Sequence, residues 1–151
     1  KYKGKIMKKI VFVCLGNICR SPMAEFVMQS LTDHYQIESR ATSSWEHGNP
    51  IHKGTQGIFK IHGIDYDVTK SSQQISKDDF EHFDYILGMD ESNVSDLLKM
   101  CPSAYQHKIY PFAEESVPDP WYTGDFEETY NRVLTGCQAW LARLENETKN
   151  G

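Results

Sequence analysis

Ile10, Val11, Phe12 and Val13 run directly into Cys14-Leu15-Gly16-Asn17-Ile18-Cys19-Arg20-Ser21 and then Pro22. This junction constrains the chain more than any other stretch. A continuous apolar, largely β-branched run fits a strand covered on both faces, as in a parallel sheet. From Ser21 the pattern turns helical. Ser21 reads as an N-cap, Pro22 fits the first helical position and Glu25 falls in the first turns. Met23, Phe26, Val27, Ser30 and Leu31 then recur at helical spacing. The segment is therefore strand, short loop, helix, with a thiol at the strand's end and an arginine six residues on. Such a loop can wrap a tetrahedral oxyanion in backbone N–H groups, clamp it with a guanidinium and present a sulfur nucleophile from beneath.

The rest of the chain repeats the alternation. Residues 37–43, 85–89 and 108–110 read as further short strands. A helix is expected over 51–62, with Gly63 as its C-cap. A short one opens at 76–79, and another runs from Asp90 or Ser92 to about Met100, stopped by Cys101-Pro102. Residues 64–75 are polar and read as irregular. Residues 113–124 form a long loop that holds Pro118-Asp119-Pro120-Trp121-Tyr122. A final helix begins near Asp125, where Glu128 completes a capping box. Its stripe of Phe126, Tyr130, Val133, Leu134, Cys137, Trp140, Leu141 and Leu144 keeps the 3.6-residue period. Strands alternating with helices predict an open, mostly parallel, doubly wound α/β sheet. Ligands bind such sheets at the carboxyl ends of the strands, where Cys14 falls.

Bulk properties narrow the function. At 151 residues the chain suits one domain with a real core. A formal charge of −5 and a pI near 5.6 argue against nucleic acid or an anionic membrane as the main partner. No apolar run approaches a membrane span and no secretory pattern opens the chain, so a cytoplasmic location is expected. Met7-Lys8-Lys9 looks like a natural start; residues 1–6 read as a cloning remnant or a disordered lead, and 7–148 as the domain. Cys14, Cys19, Cys101 and Cys137 admit two disulfides, four reduced thiols or a zinc site. The missing secretory signal favours reduced thiols, and the spacing disfavours zinc.

Within the loop, each residue type has a chemical use. A thiol at a helix N-terminus beside a cation ionises readily, and a thiolate can take a phosphoryl group covalently. Gly16 and Asn17 tolerate the left-handed backbone that turns consecutive N–H groups inward. Arg20 can grip two phosphate oxygens. Ser21 can donate to the Cys14 sulfur, besides its role as a cap. A phenolate leaves slowly without a proton, so a general acid is needed. Asp119, between two stiffening prolines and beside water-shedding aromatics, is the best candidate; alone, it would read as a turn aspartate. Trp45, Trp121 and Tyr122 could wall a slot for an aromatic ring, whereas Trp140 belongs to the core. His34 and His62 read as packing or capping residues, and Asp78-Asp79 and Asp90-Glu91 as solvated helix starts rather than metal ligands. No cofactor motif is present.

The chain resembles the low-molecular-weight protein tyrosine phosphatases. The likeness spans Met7 to about Leu144 and rests on three markers. They are Val13-Cys14-Leu15-Gly16-Asn17-Ile18-Cys19-Arg20-Ser21-Pro22, then Phe83-Asp84-Tyr85-Ile86 with Met89-Asp90-Glu91-Ser92-Asn93, and Asp119-Pro120-Trp121-Tyr122. The resemblance implies a single-domain four-stranded parallel sheet with helices on both faces and the phosphate-binding loop after the first strand. It implies Cys14 as nucleophile, Arg20 as phosphate clamp and Asp119 as acid and later base. Leu15, Gly16, Asn17, Ile18, Cys19 and Ser21 complete the loop. It further implies Ser39 and His62 as partners of Asn17, and a reversible Cys14–Cys19 disulfide under oxidation.

The substrate implied is protein phosphotyrosine, hydrolysed without cofactor or metal; a monomer that can self-associate weakly is expected. Ile18 stands where phosphoarginine-specific relatives tend to carry threonine, which favours a flat aromatic ester. Cys101 and Cys137 lie outside the region where relay thiols of arsenate reductases are expected. A non-catalytic phosphopeptide reader and a Cys14–Cys19 redox protein are the rivals from other classes.

Overall fold

The computed structural model describes residues 7–150; the reading of 1–6 as a remnant lies outside the described residues. Four strands form one parallel sheet: β1 (Lys9–Cys14), β2 (Gln36–Ala41), β3 (Tyr85–Gly88) and β4 (Ile109–Pro111), in the order β2-β1-β3-β4. The unbroken apolar run at Ile10–Val13 has its reason here. β1 lies between β2 and β3, and Ile10 to Val13 are 0% exposed. Alternate side chains enter two separate cores, as strand geometry requires. Ile10, Phe12 and Leu87 join Met23, Phe26, Phe59, Val133 and Trp140 on one face. Val11, Val13 and Ile86 join Phe80, Phe83 and Leu97 on the other.

Among the described residues six helices connect and cover the strands: α1 (Arg20–Leu31), α2 (Lys53–His62), α3 (Lys77–His82), α4 (Glu91–Met100), α5 (Pro120–Thr123) and α6 (Phe126–Asn150). Helices α1, α2 and α6 carry the first core; α3 and α4 carry the second. The capping chemistry follows the sequence. Ser76 with Asp79 and Asp90 with Asn93 make capping boxes, and Gly63 ends α2 at a left-handed φ of 66°. Asp125 accepts from Glu128 N at 3.0 Å at the start of α6.

Two expectations need correction. Ser21 does not cap α1, because the helix already begins at Arg20, and the Ser21 hydroxyl turns toward Cys14 instead. The 3₁₀ turn Ser103–Lys108 and helix α5 arise in segments without long apolar periodicity. The polar stretch 64–75 is pinned by bridges from Ser71 to Pro50 and from Gln74 to Ala41. Its hydrogen bonds complete the loop after β1, so a segment without hydrophobic pattern is still structurally specified.

Candidate active site

β1 delivers Cys14 to the carboxyl end of the sheet, and α1 starts six residues later at Arg20. The intervening loop, with Trp45, Glu46, Asp119, Trp121 and Tyr122, lines a cavity of about 190 Å³. The sulfur is buried and receives two groups. Asn17 N donates to Sγ at 3.2 Å, and Ser21 Oγ lies 3.0 Å away. Asn17 holds the loop's left-handed conformation with φ 56°. Gly16 does not share it, contrary to the sequence reading. A side chain at Gly16 would instead crowd Glu46 Cγ at 3.3 Å, and its carbonyl accepts from Ser72 Oγ at 2.8 Å.

The Asn17 side chain knits the loop to the sheet and to the polar stretch behind it. Its Nδ2 donates to Ser21 Oγ at 2.8 Å and Ser39 Oγ at 2.9 Å, and its Oδ1 accepts from Gln73 N at 3.1 Å. Ser39 therefore stands where the sequence reading put it. His62 does not. It sits at the end of α2, bonded to Glu127 Oε1 at 2.7 Å and stacked on Tyr130 at 3.8 Å. That position joins α2 to α6 and leaves His62 a packing residue, as its place near a helix end first suggested.

Arg20 is almost wholly buried beside the sulfur. Its Nη1 donates to Asp90 Oδ2 at 2.7 Å and Val117 O at 3.1 Å, and Nη2 reaches Asp119 Oδ2 at 3.4 Å. Burial works against the guanidinium charge, but Cys14, Asp90 and Asp119 outweigh it and hold Arg20 more firmly protonated than usual. Asp90 was read from sequence as a solvated helix start; it is also the anchor of Arg20. The signal that could have found it was the Met89–Asn93 marker itself.

Asp119 caps α5, accepting Trp121 N at 3.0 Å on Oδ1 and leaving Oδ2 toward Arg20. The loop before it is tied to β3 by Val117 N donating to Met89 O at 2.9 Å. Trp45, Trp121 and Tyr122 stand at the mouth, 60–78% exposed, leaving aromatic faces open above the loop. Trp121 meets His52 edge-on at 5.8 Å, and His52 stacks on Phe126 at 5.2 Å, so the rim rests on α2 and α6. Cys19 also lines the cavity, with its thiol buried. Burial first, then Cys14 and Asp119, push its thiol up to about 12, with Arg20 and Thr55 pulling the other way. All four cysteines are free thiols. Among the described residues no group of three or more His, Cys, Asp or Glu is placed to hold a metal, and no helix is long and apolar enough to cross a membrane.

A thiol at the floor of a loop, a buried arginine beside it and a carboxylic acid above it form a site suited to phosphate esters. Comparison with known proteins agrees. The family model described as low molecular weight phosphotyrosine protein phosphatase matches residues 9–150. The low-molecular-weight protein-tyrosine-phosphatase YfkJ of Bacillus subtilis is 39% identical, covering 93% of this chain and 98% of its own. Its counterpart PtpA of Staphylococcus aureus is 44% identical over 87% of this chain and 90% of its own. The crystal structure of SP-PTP from Streptococcus pyogenes superposes with a TM-score of 0.88 at 63% identity, covering 91% of this chain and 93% of that one. This chain belongs to the low-molecular-weight protein tyrosine phosphatases, enzymes that hydrolyse phosphotyrosine.

Proposed function

We propose that the reaction runs through a phosphocysteine on Cys14. The single observation that carries this reading is the pair of groups converging on Cys14 Sγ, Asn17 N at 3.2 Å and Ser21 Oγ at 3.0 Å, at the floor of a cavity that also holds Arg20 and Asp119. Asn17 N donates to this sulfur and the Ser21 hydroxyl lies within hydrogen-bond reach of it; the thiolate is the form that attacks phosphorus. The substrate phosphate sits on Arg20, whose Nη2 exchanges its long contact with Asp119 for a phosphate oxygen. The thiolate electron pair forms the S–P bond. The P–O bond to the phenol breaks, and the proton held on Asp119 passes to the departing oxygen. Asp119, now a carboxylate, takes a proton from water. That water's oxygen bonds phosphorus, and the S–P bond breaks with Ser21 donating to the returning thiolate. Arg20 carries the charge spread over the equatorial oxygens.

Trp45, Trp121 and Tyr122 favour a flat aromatic ester, and Ile18 keeps the floor apolar. The substrate is thus phosphotyrosine in proteins, and no resident metal or cofactor takes part. Four free thiols suit a reducing compartment, which favours the cytoplasm. Single-turnover mixing of an aryl phosphate with the Cys14→Ser variant tests the reading. No phenol is expected above the uncatalysed background, whereas the parent releases one equivalent in a burst. Parent-like release from Cys14→Ser would remove the nucleophile.

A further inference from the structure

We propose that His52 is a positioning residue for the aromatic slot: its ring fixes the indole of Trp121 and so sets how far the site prefers an aryl phosphate over bare phosphate. The proposal rests on the phosphatase reading above and concerns which esters its cavity selects.

Trp121 lines the cavity and His52 stands outside it, so His52 acts through the indole. The imidazole is itself firmly seated. As the N-cap of α2 its Nδ1 accepts from Gly54 N at 2.9 Å, which fixes the ring plane. It stacks on Phe126 with centroids 5.2 Å apart and planes 21° apart. Phe126 in turn covers Gly54 so closely that a Cβ there would lie 2.3 Å from its ring. Against this fixed ring the indole packs edge-on, with centroids 5.8 Å apart and planes at 79°, a geometry aromatic pairs favour. Trp121 needs such a partner. It is 60% exposed and sits on the four-residue helix α5, with no core to hold it. Among the described residues no other aromatic ring packs on it. Its main chain is fixed by Asp119 Oδ1, which accepts from Trp121 N at 3.0 Å. The direction of the indole is left to His52.

The same residue touches the opposite wall through its main chain. His52 N donates to Ile18 O at 2.9 Å, and Thr55 Oγ1 from the same turn donates to Cys19 O at 3.3 Å. Neither bond uses the imidazole. His52 therefore has two separable tasks: its backbone steadies the anion cup, and its ring steadies the slot. A side-chain substitution should spare a ligand that fills only the cup and weaken one that also fills the slot. Loss of one aromatic pair corresponds to about a three- to tenfold change in affinity.

The test is a pair of heteronuclear NMR titrations of the full chain, one with inorganic phosphate and one with benzylphosphonate, whose P–C bond is not hydrolysed. His52→Asn removes the ring and keeps one of the best capping side chains. It should weaken benzylphosphonate about three- to tenfold and hold phosphate within about twofold of the parent. It should also move the indole N–H resonance of Trp121, assigned by its loss in Trp121→Phe. His52→Phe keeps a ring and gives up the cap. It should bind benzylphosphonate within about twofold of the parent and melt at a lower temperature. Equal weakening of both ligands in His52→Asn, unchanged benzylphosphonate affinity there, or a loss in His52→Phe as large as in His52→Asn would overturn the proposal. Should His52→Asn not fold, His52→Ser, also a strong cap, decides by the same ratio. A parent that binds both ligands yet turns over no aryl phosphate would unseat the phosphatase reading, and the binding ratios would still decide for or against His52.

Discussion

Asp90 holds two elements at once: one carboxylate oxygen accepts from Asn93 N at 2.7 Å to cap α4, and the other accepts from Arg20 Nη1 at 2.7 Å. Arg20 is therefore fixed to the far side of the sheet through a helix cap. The two roles separate by substitution. Asp90→Asn keeps a good capping group and loses the charge that aims Arg20. Its kcat/KM on an aryl phosphate should fall about 10- to 100-fold, as expected for a misplaced binding group, with little change in melting temperature. Asp90→Ala should add a cap loss of about 1 kcal/mol. Chemical denaturation and steady-state kinetics on both variants check this, and equal activity in Asp90→Asn and the parent would sever the link.

Asp119 points one oxygen at Trp121 N and the other toward Arg20, so it stands on the cavity wall beside Arg20 rather than out in solvent. If it supplies the leaving-group proton, Asp119→Ala should lower kcat by about 10²–10⁴ on phenyl phosphate or a phosphotyrosine peptide. A dinitrophenyl ester, whose phenolate departs unaided, should lose far less. An equal loss on both esters would count against an acid role.

The site was readable in proportion to how local its parts are. Cys14, Arg20 and Ser21 lie within one loop-to-helix segment, and their residue types alone raise the expectation of an anion cup with a nucleophile. The sheet was readable because β1 is buried on both faces and so carries an uninterrupted apolar signature. What sequence could not show is partnership across distance. Ser39 with Glu25, Arg20 with Asp90 and Gln73 with Asn17 are 14, 70 and 56 residues apart, and each partner looks like ordinary surface polarity by itself. His62 shows the opposite error: family likeness drew it toward Asn17, while its stacking on Tyr130 belongs to the α2–α6 contact. Gly16 shows the same limit for backbone, since Asn17 alone of the two takes the left-handed turn.

Packing between α6 and the end of β4 offers a test independent of chemistry. A Cβ at Gly136 would lie 2.3 Å from the ring of Phe112, which is 2% exposed and meets Phe12 edge-on at 5.7 Å. Neither ring can step aside without disturbing the first core. Helix propensity favours alanine over glycine by about 1 kcal/mol, yet overpacking costs about 1–3 kcal/mol. Gly136→Ala should therefore lower stability in urea melts, and Gly57→Ala, with open space around its position, should not. Stabilisation of both would show that Phe112 relocates freely.

Two buried thiols set a pH limit on the fold. Burial pushes Cys19 up to about 12, and complete burial in α6 pushes Cys137 well above its ordinary 9.0. In the unfolded chain both would release their protons near the ordinary value. Between that value and the raised one the native state binds more protons, so stability is fully present below about pH 9 and falls as pH rises. Urea midpoints should decline from pH 8 to 10. Cys137→Ala, although less stable at pH 8 by about 1 kcal/mol for the lost sulfur contacts, should show a shallower decline, because one of the proton-retaining groups is gone. A parent-like slope in Cys137→Ala would mean that the alkaline limb arises elsewhere. The same shift makes Cys19 a poor target at pH 7.5, where iodoacetamide should label Cys14 first. Comparable labelling of the two would require Cys19 to leave its buried seat beside Thr55.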